Sequence, residues 1–257
     1  MALSRQASVI SFNFIIGLLV AAYSSSVWSV SSSTSTINQQ QISPKPVKEM
    51  AAFGNEKAQY LLALQYQNGT NGISRNIDKA VDLLMSSAKQ GFGPAQIDLA
   101  HLYINGVYIG RNPEQAAVWF KKAADQGFMS AQYNLGNLYR SGIGVEKNNT
   151  VAREYYQKSA KNGFVKAQYN LALMYHFGLG GAKDAAQVIH WFEMAAQQGF
   201  HQAQYFLANM YRNGEGTEKN YQQAYYWYKA ASEGGMESAI KAMKEIEPYL
   251  TDKLVLQ

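Results

Sequence analysis

The sequence predicts an all-α fold: an α/α superhelical solenoid of five helix-turn-helix repeats, period 36, with N- and C-terminal capping helices. Three observations carry this expectation. Ala58, Ala95, Ala131, Ala167, Ala203 and Ala239 are spaced by 37, 36, 36, 36 and 36 residues, and the first five are each followed by Gln. Gly54, Gly91, Gly127, Gly163, Gly199 and Gly235 form a second series on the same period. The 257 residues are 47% hydrophobic with no cysteine, so a core can form while disulfide scaffolds, thiolate zinc sites and cysteine nucleophiles are excluded.

The chain opens on an address. Arg5 precedes an apolar run from Val9 to Ala22, and Val20 and Ala22 fit the small-residue positions of a signal-peptidase site. Residues 1–22 therefore read as a secretory signal peptide. The alternative is an uncleaved anchor extending through Tyr23 and Val27 to Val30, which Ser24, Ser25 and Ser26 interrupt. Either reading exports the rest of the chain, into the periplasm or out of the cell. The membrane is a partner only if the segment stays uncleaved. Residues 23–45, rich in Ser, Thr and Gln, lack apolar periodicity and read as a flexible spacer.

Residues 46–247 carry the repeats, at about 58–94, 95–130, 131–166, 167–202 and 203–238. In each, the first helix has apolar or small residues at offsets 0, 4, 5, 7 and 8 from its alanine, as in Ala131, Leu135, Gly136, Leu138 and Tyr139. Gly69, Gly106, Gly142, Gly178 and Gly214, at offset 11, suit the left-handed residue that ends a helix. Asn76, Asn112, Asn148, Asp184 and Asn220 are N-cap types for the second helix. Pro113 takes the first helical position, and Gln115, Gln187 and Gln223 stand where a capping box places Gln. The second helix carries Leu83-Leu84, Trp119-Phe120, Tyr155-Tyr156, Trp191-Phe192 or Trp227-Tyr228, and stops at the second glycine series. Met50 to Gly54 reads as the tail of a lone second helix. Ala239 to Glu247 reads as a lone first helix closed before Pro248, and residues 248–257 as a tail.

The stretches Ala131 to Gly142 and Ala117 to Gly127 resemble the Sel-one-like repeat (SLR), a relative of the tetratricopeptide repeat. The resemblance covers about residues 46–247. The fourth unit departs most, with Val188 in place of the second-helix alanine and Gly180-Gly181 in its turn. The resemblance implies a superhelix that binds proteins or peptides and has no catalysis of its own.

At about 100° per residue, offsets 2, 3, 6, 9 and 10 of the first helix lie opposite the buried stripe. In related repeat families the first helices line the concave surface, so these positions are expected to face a groove. The third to fifth units place Tyr133, Asn134, Asn137, Arg140, Tyr169, Asn170, His176, Tyr205, Asn209 and Arg212 there. Asn can donate to and accept from an extended peptide, Arg can pair bidentately with a carboxylate, and Tyr offers rigid contact area. The competing reading packs the Tyr row between repeats and leaves Asn and Arg solvated. On the groove reading, repeat packing makes no demand at Asn137, Asn209, Arg140 or Arg212.

Enzyme chemistry finds little support. His101, His176, His190 and His201 have no metal-ligand spacing, so no metal and no cofactor is expected. The Gly-x-Gly pairs from Gly142, Gly178 and Gly214 follow helices and lack the Lys-Ser/Thr of a phosphate loop. The net charge of +5 is scattered and does not indicate nucleic acid. The expected function is an exported, non-enzymatic scaffold for a protein or peptide, a cell-envelope component among the candidates. The alternative is a weak penicillin-binding or β-lactamase-like hydrolase. That resemblance is to a cysteine-rich SLR branch, whereas this chain has no cysteine.

Overall fold

The computed structural model describes residues 44–250. The expected signal peptide, most of the spacer and the end of the tail lie outside these residues. The described residues divide into two compact units, one up to Asn112 and one from Pro113.

The first unit contains α1 (Pro44–Ala52), α2 (Glu56–Asn68), α3 (Ile77–Lys89) and α4 (Gly93–Asn105). The second contains α5 (Pro113–Asp125), α6 (Met129–Ser141), α7 (Asn149–Lys161), α8 (Val165–Phe177), α9 (Ala185–Gln197), α10 (His201–Asn213), α11 (Tyr221–Glu233) and α12 (Glu237–Ile246), then a 3₁₀ turn at Glu247–Tyr249. No strand occurs among the described residues. Within each unit a helix packs on the helices before and after it in the chain, the arrangement of an all-α solenoid.

Local chemistry sets the helix ends. Asn76, Asn148, Asp184 and Asn220 each accept at the side-chain oxygen from the backbone N–H three residues on. Gly69, Gly106, Gly142, Gly178 and Gly214 close the first helices at φ 66–77°. A β-carbon is strained at that dihedral, which is why glycine recurs there. The capping box fails at Gln187. Its Oε1 instead accepts from Trp191 Nε1 at 3.0 Å, one helical turn on.

The cores follow the repeat. In the first unit Val47 and Ala51 of α1 pack with Ala58 and Leu62 of α2 and with Ile73 from the turn. In the second unit a cluster built on Tyr156, Leu171, Met174, Trp191, Phe192 and Leu207 runs from α7 to α10. A further cluster around Ala208, Tyr228, Ala239 and Ile246 joins α10, α11 and α12. Ala131 and Ala167 are 0% exposed, as their place at a tight helix crossing requires.

A polar ladder runs beside this core. Gln59, Gln96, Gln132, Gln168 and Gln204, the residues after the periodic alanines, each donate from Nε2 to the carbonyl eight residues back: Ala51, Ala88, Ala124, Ala160 and Ala196. These carbonyls belong to the last turn of the preceding second helix, where intrahelical donors run out. Gln90 and Gln198 then donate to Gln59 and Gln168, both at 2.7 Å. The five ladder glutamines are thus buried and satisfied, and they tie one repeat to the next.

Candidate functional site

The ten expected groove residues stand on α6, α8 and α10 of the second unit. The three tyrosines pack between helices while staying partly open to solvent. The Tyr133 ring lies 5.8 Å from Tyr156 and 5.1 Å from Phe164. Tyr169 sits 5.8 Å from Phe192 and 5.1 Å from Phe200, and burial pushes its hydroxyl up to about 12. Tyr205 contacts Tyr228 at 5.6 Å. The packing reading of this row therefore holds, with each tyrosine left half-buried.

The expectation that packing makes no demand on the asparagines is corrected. Asn137 is 7% exposed, and its Oδ1 accepts from the hydroxyl of the fully buried Tyr156 at 2.6 Å. Asn209 does the same for Tyr228, also at 2.6 Å. Asn170 is 6% exposed and donates to the Tyr133 hydroxyl at 3.5 Å. A buried tyrosine hydroxyl needs an acceptor, and Asn137 and Asn209 supply it from the same position of their first helices. Asn134 and His176 remain partly accessible, His176 with its ring edge-on to Phe177.

The arginines are tied by the same groups. Arg140 donates from Nε to the Tyr156 hydroxyl at 3.1 Å, closing an Asn137–Tyr156–Arg140 cluster. Its terminal nitrogens have no partner among the described residues. Arg212 pairs through its Nη2 with Glu245 of α12 at 3.0 Å. The two arginines thus differ: one presents an open guanidinium fork, the other is already neutralised.

The fourth repeat shows what the cluster replaces. Leu173, Phe192 and His176 occupy the places of Asn137, Tyr156 and Arg140. Asn appears where the second helix carries Tyr (Tyr156, Tyr228) and not where it carries Phe (Phe120, Phe192). That covariation within one chain was the available signal for these bonds.

The first unit carries a different polar group on the same face of its first helices. The Tyr60 hydroxyl of α2 donates to Asp98 Oδ2 of α4 at 2.9 Å. Burial pushes the Asp98 carboxyl up to about 6, with the Tyr60 bond pulling the other way. His101, one turn along α4, is pushed down to about 4 by burial and stays neutral at pH 7. Among the described residues no three of His, Asp and Glu gather in a way that could hold a metal ion.

Five consecutive copies of one helix-turn-helix, each closed by the same glycines and joined by the same glutamine, agree with the family match. The Sel1 repeat profile fits residues 56–92, 93–128, 130–164, 165–200 and 201–236. The chain belongs to the Sel1 repeat family. A Sel1 repeat protein from Oxalobacter formigenes is 30% identical, with a TM-score of 0.69 over 84% of this chain and 86% of that one. A protective antigen of uropathogenic Escherichia coli strains, described as displaying an SLR fold, is 28% identical. Its TM-score is 0.52, and the match covers 80% of this chain and 51% of that one. No curated protein matches the sequence. The Sel1 repeats account for the recurring alanines, glycines and glutamines.

Proposed function

We propose that this Sel1 repeat protein is an exported, non-enzymatic scaffold that holds an extended acidic peptide segment of a protein partner. The segment lies along the first-helix face of α6, α8 and α10. Sel1 repeat proteins generally act as scaffolds for protein partners, which supports the class of function. The observation that carries the site is the fixed, open fork of Arg140. Its Nε is anchored on Tyr156, so the guanidinium is oriented while its outer nitrogens stay available for a carboxylate. Asn209 has its oxygen committed to Tyr228, which aims its amide N–H₂ as a donor for a backbone carbonyl. The half-buried Tyr133, Tyr169 and Tyr205 supply contact area between these two points. Arg212 contributes only by exchanging Glu245 for a partner carboxylate. Asn137 and Asn170 position Tyr156 and Tyr133 and do not meet the partner through those bonded atoms.

A peptide array probed with the purified protein tests this. Peptides with acidic residues should be retained by the wild type and weakened at least about tenfold by Arg140→Ala, the loss of one charge-assisted pair. Tyr226→Ala, at an exposed position of α11 on the second-helix side, should bind as wild type. Retention insensitive to Arg140→Ala moves the site. Export rests on the arrangement of Arg5, the apolar run and Val20-x-Ala22, and N-terminal sequencing should place the mature start near Tyr23. A full-length chain in the soluble cytoplasmic fraction refutes it.

A further inference from the structure

The Tyr60–Asp98 pair of the first unit has a property the repeat fold does not require. Corresponding positions elsewhere carry Asn134, Asn170 and Phe206, none of them charged. Asp98 alone brings a carboxylate below the surface of the first-helix face. Its contacts among the described residues are one hydrogen bond, from Tyr60, and no ion pair. The bond uses Oδ2, and the side chain remains partly open to solvent.

The surroundings fit a cation and offer none of their own. The ring of Tyr60 stands beside the carboxylate, held 5.3 Å from Phe92 in a tilted contact. A tyrosine face next to a carboxylate attracts ammonium and guanidinium groups through the ring quadrupole. His101 follows on the same face of α4, and Leu61 and Leu64 border the site from α2, each partly accessible. Among these side chains no positive charge stands at neutral pH, because burial keeps the His101 ring neutral. The ionisable residues of α3, which packs between α2 and α4, are Asp78, Lys79, Asp82 and Lys89, and all are exposed. A half-buried carboxylate without a counter-charge costs stability, so its presence at a position free to vary calls for a ligand that repays it.

We propose that Asp98, with the ring and hydroxyl of Tyr60, is a receptor for a basic side chain, the ammonium of Lys or the guanidinium of Arg, on a bound peptide. The basic group pairs with the open carboxylate oxygen, while the Tyr60 hydroxyl fixes the other oxygen and sets the plane of the carboxylate. The site is chemically the opposite of Arg140, so the two select different residue types. This rests on the reading of the first-helix face as a peptide-binding surface, but it uses separate residues and a separate peptide class.

The test is a fluorescence-anisotropy titration of the whole chain at pH 7.5 with matched ten-residue peptides. One set has a single Lys or Arg in an otherwise uncharged sequence, and a second replaces that residue with Gln or Glu. The wild type should bind the Lys and Arg peptides at least about tenfold more tightly than the Gln peptide. Asp98→Asn, which can still accept from Tyr60 and keeps the volume, should abolish that preference. Tyr60→Phe should reduce it by a smaller factor, while Tyr226→Ala, at an exposed position of α11, leaves it intact. Equal binding of Lys and Gln peptides, or a preference that survives Asp98→Asn, overturns the assignment. Acidic peptides retained through Arg140 in the same experiment would leave the scaffold reading standing when this one has failed.

Discussion

Replacing Asn137 with Leu offers a direct measure of what the buried Asn–Tyr bond contributes, because the fourth repeat already contains the alternative solution. In the wild type the Tyr156 hydroxyl is fully buried and donates to Asn137 Oδ1 at 2.6 Å. Asn137→Leu removes the Oδ1 that accepts this hydroxyl hydrogen, at a cost of about 1–3 kcal/mol. Tyr156→Phe alone strands Asn137 Oδ1 and Arg140 Nε instead, and should cost about 1–2 kcal/mol. The double variant recreates the Leu173–Phe192 combination, whose members are 8% and 1% exposed in the fourth repeat. It should therefore lie within about 1 kcal/mol of wild type, since replacing both partners of a buried bond by apolar groups of similar shape is nearly neutral. The coupling energy between the two sites is then about 1–5 kcal/mol, the excess of the summed single losses over the loss in the double variant. Urea unfolding of the four proteins, followed by far-ultraviolet circular dichroism, gives the cycle. Amide hydrogen exchange across residues 135–160 would localise the loss in the single variants. A double variant as unstable as the sum of the two singles refutes the reasoning, because the bond would then not be what couples these positions.

Three other perturbations separate local strain, packing and charge. Gly144→Ala and Gly163→Ala both place a β-carbon at positive φ, 69° and 89°, at a cost of about 1 kcal/mol each. At Gly144 that carbon would also run into the Pro113 carbonyl, whereas at Gly163 nothing lies within 4 Å. Gly144→Ala should melt lower than Gly163→Ala by the equivalent of a further 1–3 kcal/mol, roughly. Ala167→Leu overpacks a site that is 0% exposed and should cost about 1–3 kcal/mol in urea unfolding, while equal melts would mean the crossing is loose. Asp98→Asn should stabilise the protein at pH 7–8 by about 1–2 kcal/mol, solvent access reducing what the full displacement would give. The Asp98 carboxyl titrates at about 6 when folded, against 3.8 for an ordinary aspartate. The unfolded chain therefore loses its proton first, and Asp98's contribution is lost as pH rises from about 4 through 6. The advantage of the Asn variant should vanish below about pH 4 in melts run across that range, and a gain independent of pH would refute the assignment.

Most of the fold was legible because it is local and repeated. Gly142 ends α6 through its own backbone dihedral, and Asn148 caps α7 through an N–H three residues on, so a single copy suffices to read both. Five copies at one period then require each helix to pack on its chain neighbours. The site was less legible. Helical geometry placed Asn137 and Asn209 away from the alanine stripe. It could not show that Tyr156 and Tyr228, 19 residues on, reach across with a hydroxyl that needs an acceptor.

The repeat, its turns, its caps and the positions that differ between copies can be read along the chain, because short-range dihedral and hydrogen-bond preferences set them. Tertiary structure decided which variable positions are spent on the scaffold and which remain for a partner. Arg140 and Arg212 share one repeat position, yet Glu245 neutralises only Arg212. Tyr60 and Asp98 are 38 residues apart and meet only when α2 and α4 are brought side by side. Charge balance and desolvation depend on which groups the folded chain brings together, and a repeat pattern read along the chain carries no record of that.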